Sequence, residues 1–185
     1  MNNKSSLFDN FPSIQTSFLQ LRAIQDSDFE DLWEIYSNPL HFQFTPNTST
    51  QNKDTLRKRI DHFQRDFIKK RRLFLGVVYQ EKLISVLEVF DYKKRSDSVT
   101  IGYRTNHDYW NQGLTSQALY LLCHFLVEEC HIETIKAFVM PENKASQRVL
   151  IKNGFQQVGE SRENWKGQGE VNLLIFQLSR NSSSH

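Results

Sequence analysis

The hydrophobic period of the chain changes abruptly between Ser98 and Leu126, and that change limits the fold more than any other feature. Ser98–Thr105 alternates, with Val99, Ile101 and Tyr103 on one face and Thr100, Gly102 and Arg104 on the other, the pattern of a strand. From Leu114 the spacing turns helical. Leu114, Ala118, Leu121 and Phe125 share a stripe with Leu122 and Leu126 beside it, which describes a largely buried helix. The join, Asn111-Gln112-Gly113-Leu114-Thr115-Ser116, delivers a strand almost directly into a helix N-terminus. Such a junction leaves several backbone N–H groups without intrahelical partners at the positive end of the helix dipole. A diphosphate suits those amides, Gly113 would admit it close to the main chain, and the hydroxyls of Thr115 and Ser116 would add donors. An ordinary strand-to-helix turn would use the same residues. The spacing does rule out a P-loop and a three-glycine dinucleotide fingerprint.

The rest of the chain reads as alternating layers. Residues 1–15 are polar and aperiodic and are expected to form a loose N-terminal arm, with residues 16–180 as one domain and 181–185 as a tail. Ser17–Ile24 reads as a strand. Ser27 and Glu30 have capping-box spacing ahead of Phe29, Leu32, Trp33 and Tyr36, which form one helical face ended by Asn38-Pro39. A second helix runs from about Thr50 to Lys70, with Leu56, Ile60, Phe63 and Phe67 on one side. Leu73–Gln80 and Leu83–Tyr92 form a hairpin about Glu81-Lys82. Thr134–Met140 is a strand, Asn143–Asn153 a short helix closed by Gly154, Phe155 enters a strand and Val171–Leu178 is the last one. The order predicts a single mixed α/β domain.

Composition narrows the function. The 185 residues carry 23 Lys and Arg against 21 Asp and Glu, a formal charge of +2, which does not describe a dedicated nucleic-acid binder. The charge is uneven: Lys53–Arg72 holds nine basic and three acidic residues, an excess of +6, leaving −4 elsewhere. A solvated helix face accounts for it, but beside an acceptor cleft it would repel polycations. Cys123 and Cys130 lie seven residues apart on a helix, roughly 10 Å along its axis, beyond the reach of a disulfide, so both are expected as free thiols. With no secretory leader and no membrane-length apolar run, the chain is expected to be cytoplasmic, without a membrane partner, and a monomer or homodimer. The six histidines pair with neither each other nor the cysteines at metal-ligand spacing, so no metal is expected.

A second chemical segment is Val139–Phe155, reading VMPENKASQRVLIKNGF. Together, Ile101-Gly102-Tyr103, the loop Tyr109-Trp110-Asn111-Gln112-Gly113-Leu114-Thr115, and Asn143, Ser146, Gly154 and Phe155 resemble the GCN5-related N-acetyltransferase (GNAT) superfamily. The nearest likeness is its ribosomal-protein N-terminal type, RimJ/RimL. Leu19-Gln20-Leu21-Arg22 followed by Asp28 fits the same pattern, so the resemblance spans about Ser17 to Leu178.

The resemblance implies an α/β domain with a central, mostly antiparallel, twisted sheet, splayed where acetyl-CoA binds and with helices on both faces. It assigns the amides of Gln112, Gly113, Leu114, Thr115 and Ser116 to the pyrophosphate and the main chain of Tyr103, Arg104 and Thr105, with Asn143, to the pantetheine arm. Gly102 would suit a bulged or splayed strand. Acyl transfer to an amine needs a base for the ammonium proton and an acid for the departing thiolate. Ser146 is the acid candidate, because Leu150 occupies the position where many relatives carry a tyrosine. Glu88, mid-strand, is the base candidate, with Asp91 and Tyr103 as alternatives. Asn111 and Thr115 stand where glycine or alanine is commoner, and Ser85 where a glycine is common. Phe42, Phe44, Trp33 and Trp165 would line the acceptor side. The expected reaction is direct acetyl transfer to an amine, preferably a protein N-terminus. A small-molecule amine acetyltransferase and a non-catalytic acyl-CoA-binding protein remain open.

Overall fold

A computed structural model describes residues 7–180. Its strands are β1 (Ile14–Gln15), β2 (Leu19–Ala23), β3 (Arg72–Tyr79), β4 (Lys82–Lys93), β5 (Ser98–Thr105), β6 (Thr134–Val139), β7 (Gln156–Trp165) and β8 (Gly169–Ser179). The helices are α1 (Phe29–Ser37), α2 (Lys53–Ile68), α3 (Leu114–His124) and α4 (Lys144–Lys152). One sheet runs in the order β1-β2-β3-β4-β5-β6-β8-β7. Every pairing is antiparallel except β5 with β6, which is parallel. Both cysteines are free thiols.

The two faces of the sheet are packed by different helices. Leu32, Ile35, Leu56, Ile60 and Phe63 of α1 and α2 pack with Leu83 and Val86 on one side, where the Phe63 and Phe74 rings stack at 4.0 Å. Ala118, Leu119 and Leu122 of α3 pack with Leu75, Leu87 and Ile101 on the other. Each large apolar side chain buried this way contributes about 1.5–3 kcal/mol. Asn52 caps α2, its side chain accepting from the amides of Asp54 and Thr55, so the helix begins three residues later than its apolar spacing suggested.

Three local expectations are corrected. Residues 7–15 of the arm are docked: Leu7 and Phe8 are buried, and the Phe8 and Phe11 rings meet Phe67 at 5.8 and 4.8 Å. Residues 1–6 and the tail 181–185 lie outside the described residues. The Ser27–Glu30 capping box is replaced by buried Asp28, which accepts from the Gln25 amide at 2.7 Å and from both terminal nitrogens of Arg22 at 2.8 and 2.9 Å. The long helix is not α-helical throughout, because Phe125–Glu129 widens into a π turn.

Gly76 on β3 is a packing requirement. A Cβ there would stand 2.7 Å from Cδ1 of Leu83, which is itself fully buried. Gly76→Ala is expected to destabilise the protein by about 1–3 kcal/mol in denaturant unfolding, the usual cost of overpacking; an unchanged midpoint would show that the Leu83 side chain yields freely.

Candidate active site

The strands part where the chemistry was expected. β5 and β6 pair only at Ser98–Thr134, Val99–Ile135 and Thr100–Lys136, and beyond Thr100 the ladder between them ends. Residues 101–105 and 137–139 therefore line a seam through the sheet. The seam opens into a cleft of about 970 Å³, lined among others by Glu88, Gly102, Tyr103, Arg104, Asn143 and Ser146. Gly102 is not at a bulge. It pairs in register with Glu88, and a Cβ on it would lie 3.8 Å from Glu88 Oε2. Its missing side chain clears the space in front of that carboxylate.

The expected anion cradle closes one end of the seam. Asn111 and Gly113 adopt left-handed backbone, with φ of 58° and 75°, and Gly113 is the N-cap of α3. Among the described residues, the amides of Gln112, Gly113, Leu114, Thr115 and Ser116 have no hydrogen-bond acceptor, and the first helix-closing bond is donated by Gln117 to Gly113. The loop is held from outside. The Trp110 indole donates to the Thr105 carbonyl at 2.9 Å, and the Gln112 side chain to the Asp108 carbonyl at 2.9 Å. His41 Nε2 accepts from the His107 amide at 2.9 Å, while its Nδ1 donates to the Ile35 carbonyl at 2.7 Å. Five free amides at a helix dipole's positive end fit a diphosphate.

The Thr115 and Ser116 hydroxyls have other partners. Ser116 Oγ accepts from Asn153 at 3.0 Å. Thr115 points into the sheet, where its hydroxyl meets that of Thr105 at 2.8 Å and Thr105 meets Ser85 at 2.9 Å. Ser85 donates to the Arg104 carbonyl, so the chain of donors runs from Thr115 through Thr105 and Ser85.

The two catalytic candidates sit on opposite faces. On the α3/α4 side, Ser146 in the first turn of α4 meets the Tyr103 hydroxyl at 2.6 Å, oxygen to oxygen. The Asn143 side chain caps that turn by accepting from the Ser146 amide at 3.1 Å. Burial pushes the Tyr103 phenol up to about 12, with the Ser146 hydrogen bond pulling the other way. On the α1/α2 side, the Glu88 carboxyl is raised above its ordinary range by burial, against the opposing pull of its ion-pair partner Arg72 and of Arg104. Phe44 and Trp165 line the cleft as expected. Phe42 lies behind Arg104, 4.0 Å from its guanidinium carbon, and Trp33 packs instead among the α1/α2 core residues beneath Lys53. The Tyr103–Ser146 pair, whose members are 43 residues apart, was not foreseen; a polar-tipped tyrosine on the same strand face as the core residues Val99 and Ile101 was its only signal.

An antiparallel sheet parts beside its single parallel pair, and the helix that follows the parting strand opens with free backbone amides, an architecture shared with acyltransferases. The chain belongs to the GNAT family: residues 19–156 match the model for the acetyltransferase (GNAT) domain. It is 26% identical over 158 residues to YoaA of Bacillus subtilis, named an uncharacterized N-acetyltransferase, covering 83% of this chain and 88% of that one. Its fold matches Mycobacterium smegmatis RimJ in complex with CoA-disulfide, with TM-score 0.81 at 18% identity over 90% of this chain and 84% of the other. It also matches RimL, a ribosomal L7/L12 alpha-N-protein acetyltransferase in complex with coenzyme A, with TM-score 0.80 at 18% identity over 93% and 100% of the two chains. Among the described residues no helix is long and apolar enough to cross a membrane.

Proposed function

We propose that this N-acetyltransferase moves the acetyl group of acetyl-CoA directly onto a primary amine, with a protein N-terminus as the preferred acceptor. The observation that carries the reading is the seam itself, which has free helix-terminal amides at one end, the Tyr103–Ser146 pair on one face and Glu88 on the other. The amides of Gln112–Ser116 hold the pyrophosphate. The main chain of Tyr103, Arg104 and Thr105 runs beside the pantetheine arm, with Asn143 closing its far side.

Glu88 takes the proton from the acceptor's ammonium group, directly or through water, leaving a neutral amine to attack the thioester carbon. As the C–N bond forms and the C–S bond breaks, Ser146 gives its proton to the departing sulfur and takes one from the Tyr103 hydroxyl. The second proton of the attacking nitrogen, shed as the amide forms, restores Tyr103 through solvent, and Glu88 releases its own proton to solvent. The products are the acetylated amine and coenzyme A. The similarity to RimJ and RimL supports the N-terminal acceptor, and the free thiols suit a reducing cytoplasm.

The deciding experiment measures thiol release from acetyl-CoA with three acceptor sets: peptides with free N-termini, amino sugars and polyamines. Turnover with peptides supports the reading. Turnover only with small amines replaces the acceptor class, and acetyl-CoA binding without turnover makes the protein a non-catalytic acyl-CoA binder.

A further inference from the structure

The cleft that holds Glu88 also holds the guanidinium groups of Arg59 and Arg104, neither of which forms an ion pair among the described residues. Arg104, two residues beyond Gly102 on β5, donates through Nε to the His41 carbonyl at 3.1 Å and through one terminal nitrogen to Thr45 Oγ1 at 3.4 Å. Its guanidinium carbon is 5.3 Å from the centroid of the Tyr36 ring. Arg59, on the cleft side of α2, brings its own guanidinium carbon to 5.3 Å from the same ring. The two cations are thus no farther apart than twice that distance, and both line the cleft.

Arg22, Arg57, Arg72, Arg162 and Arg180 each have a carboxylate partner, whereas Arg59 and Arg104, like Arg71 on the same cleft wall, make no ion pair among the described residues. None of the anions on the cleft wall forms an ion pair with Arg59 or Arg104, although Glu88 lies close enough to feel the charge of Arg104. Glu88 is taken by Arg72, Asp91 by Lys93, and Glu163 accepts from the Trp165 indole. Asp66 also lines the cleft and makes no ion pair with either arginine. Burial is the main cause that lowers the Arg59 pKa; the Tyr36 phenol opposes it, and the nearby charge of Arg104 adds to it. An anion placed between them relieves that repulsion and gains charge-assisted hydrogen bonds from groups already held in place. A cation there adds to the repulsion.

The geometry points to Arg59 and Arg104 as a carboxylate-reading pair, so that an amine with a carboxylate close to the reacting nitrogen is preferred over its neutral or cationic counterpart. The inference rests on the acceptor entering on the Glu88 face, and it narrows the acceptor class without depending on the acceptor being a peptide. The carboxylate would come from an acidic residue following a peptide's N-terminal residue, or from a free amino acid.

Both sources are tested by thiol release at low ionic strength, with rates corrected for the fraction of neutral amine. The peptide arm compares Ser-Asp-Ala amide, Ser-Ala-Ala amide and Ser-Lys-Ala amide; the small-molecule arm compares serine with serinamide. The carboxylate-bearing member of at least one arm is expected to show about tenfold higher kcat/KM. Salt should shrink that ratio, and Arg59→Gln should bring it to about one, while Arg59→Lys retains part of it. Equal rates for all peptides and for both small amines overturn the pair and leave acetyl transfer standing. Discrimination between serine and serinamide with no peptide turnover upholds the pair and overturns the N-terminal acceptor. No turnover in either arm overturns both, and unchanged discrimination in Arg59→Gln removes Arg59 from the inference.

Discussion

Glu88→Gln is expected to lower kcat by about 10²–10⁴-fold, the usual worth of a positioned general base. The substitution keeps the shape of the side chain and an oxygen for Arg72 but cannot take a proton. The pH profile gives a sharper signature. Burial raises the Glu88 carboxyl above the ordinary carboxylate range, so the wild-type rate should fall as pH drops through that raised value, and this limb should vanish in the variant. Any limb that remains belongs to the acceptor amine. Stability should move the other way. A carboxyl raised by folding binds its proton more tightly in the native state than in the unfolded chain. Stability is therefore lost as pH rises from the unfolded pKa through the folded one. Above that window, Glu88→Gln should unfold no earlier than wild type. An inactive variant of undiminished stability identifies a catalytic loss; full activity would remove Glu88 from the mechanism.

Ser146→Ala is expected to lower kcat by about 10²-fold with little change in the KM for acetyl-CoA, since a hydroxyl needed only as sulfur departs contributes little to ground-state binding. Tyr103→Phe should show a similar loss, because the two hydroxyls are one hydrogen-bonded unit at 2.6 Å. The double variant should then be little worse than either single one. Strictly multiplicative losses would mean that the residues act separately. Full activity in Ser146→Ala would leave the thiolate to be protonated by some other group.

The parts of the site that were legible in the sequence are those built from consecutive residues. The strand, the loop and the start of α3 follow one another from Ser98 to Ser116, so periodicity and one glycine locate the amide cradle. The parting of β5 from β6 was expected only through family likeness, because no local pattern says where a ladder stops. Gly102 was assigned to backbone shape, but its register partner Glu88 lies on another strand and gives the glycine a different purpose. Tyr103 and Ser146, like Arg59 and Arg104, meet only through the fold. The docking of residues 7–15 was also missed: Leu7, Phe8 and Phe11 show no periodicity, and the surface they cover is formed by residues such as Phe67 and Tyr92 much later in the chain.

The hydroxyl chain from Thr115 through Thr105 to Ser85 bears on how this sequence is able to change. Ser85 and Thr115 both depart from the commoner family pattern, and the structure joins them through buried Thr105. Losing either end leaves a buried hydroxyl short of a partner, at about 1–3 kcal/mol. A double-mutant cycle on Ser85→Gly and Thr115→Ala should therefore return a coupling energy well outside error; strict additivity would show that the contacts carry no shared weight. Coupling of that kind is epistasis. Each replacement is tolerated or harmful according to the other, so the pair is inherited as one character, and the turn that opens α3 drifts only along paths that change β4 as well.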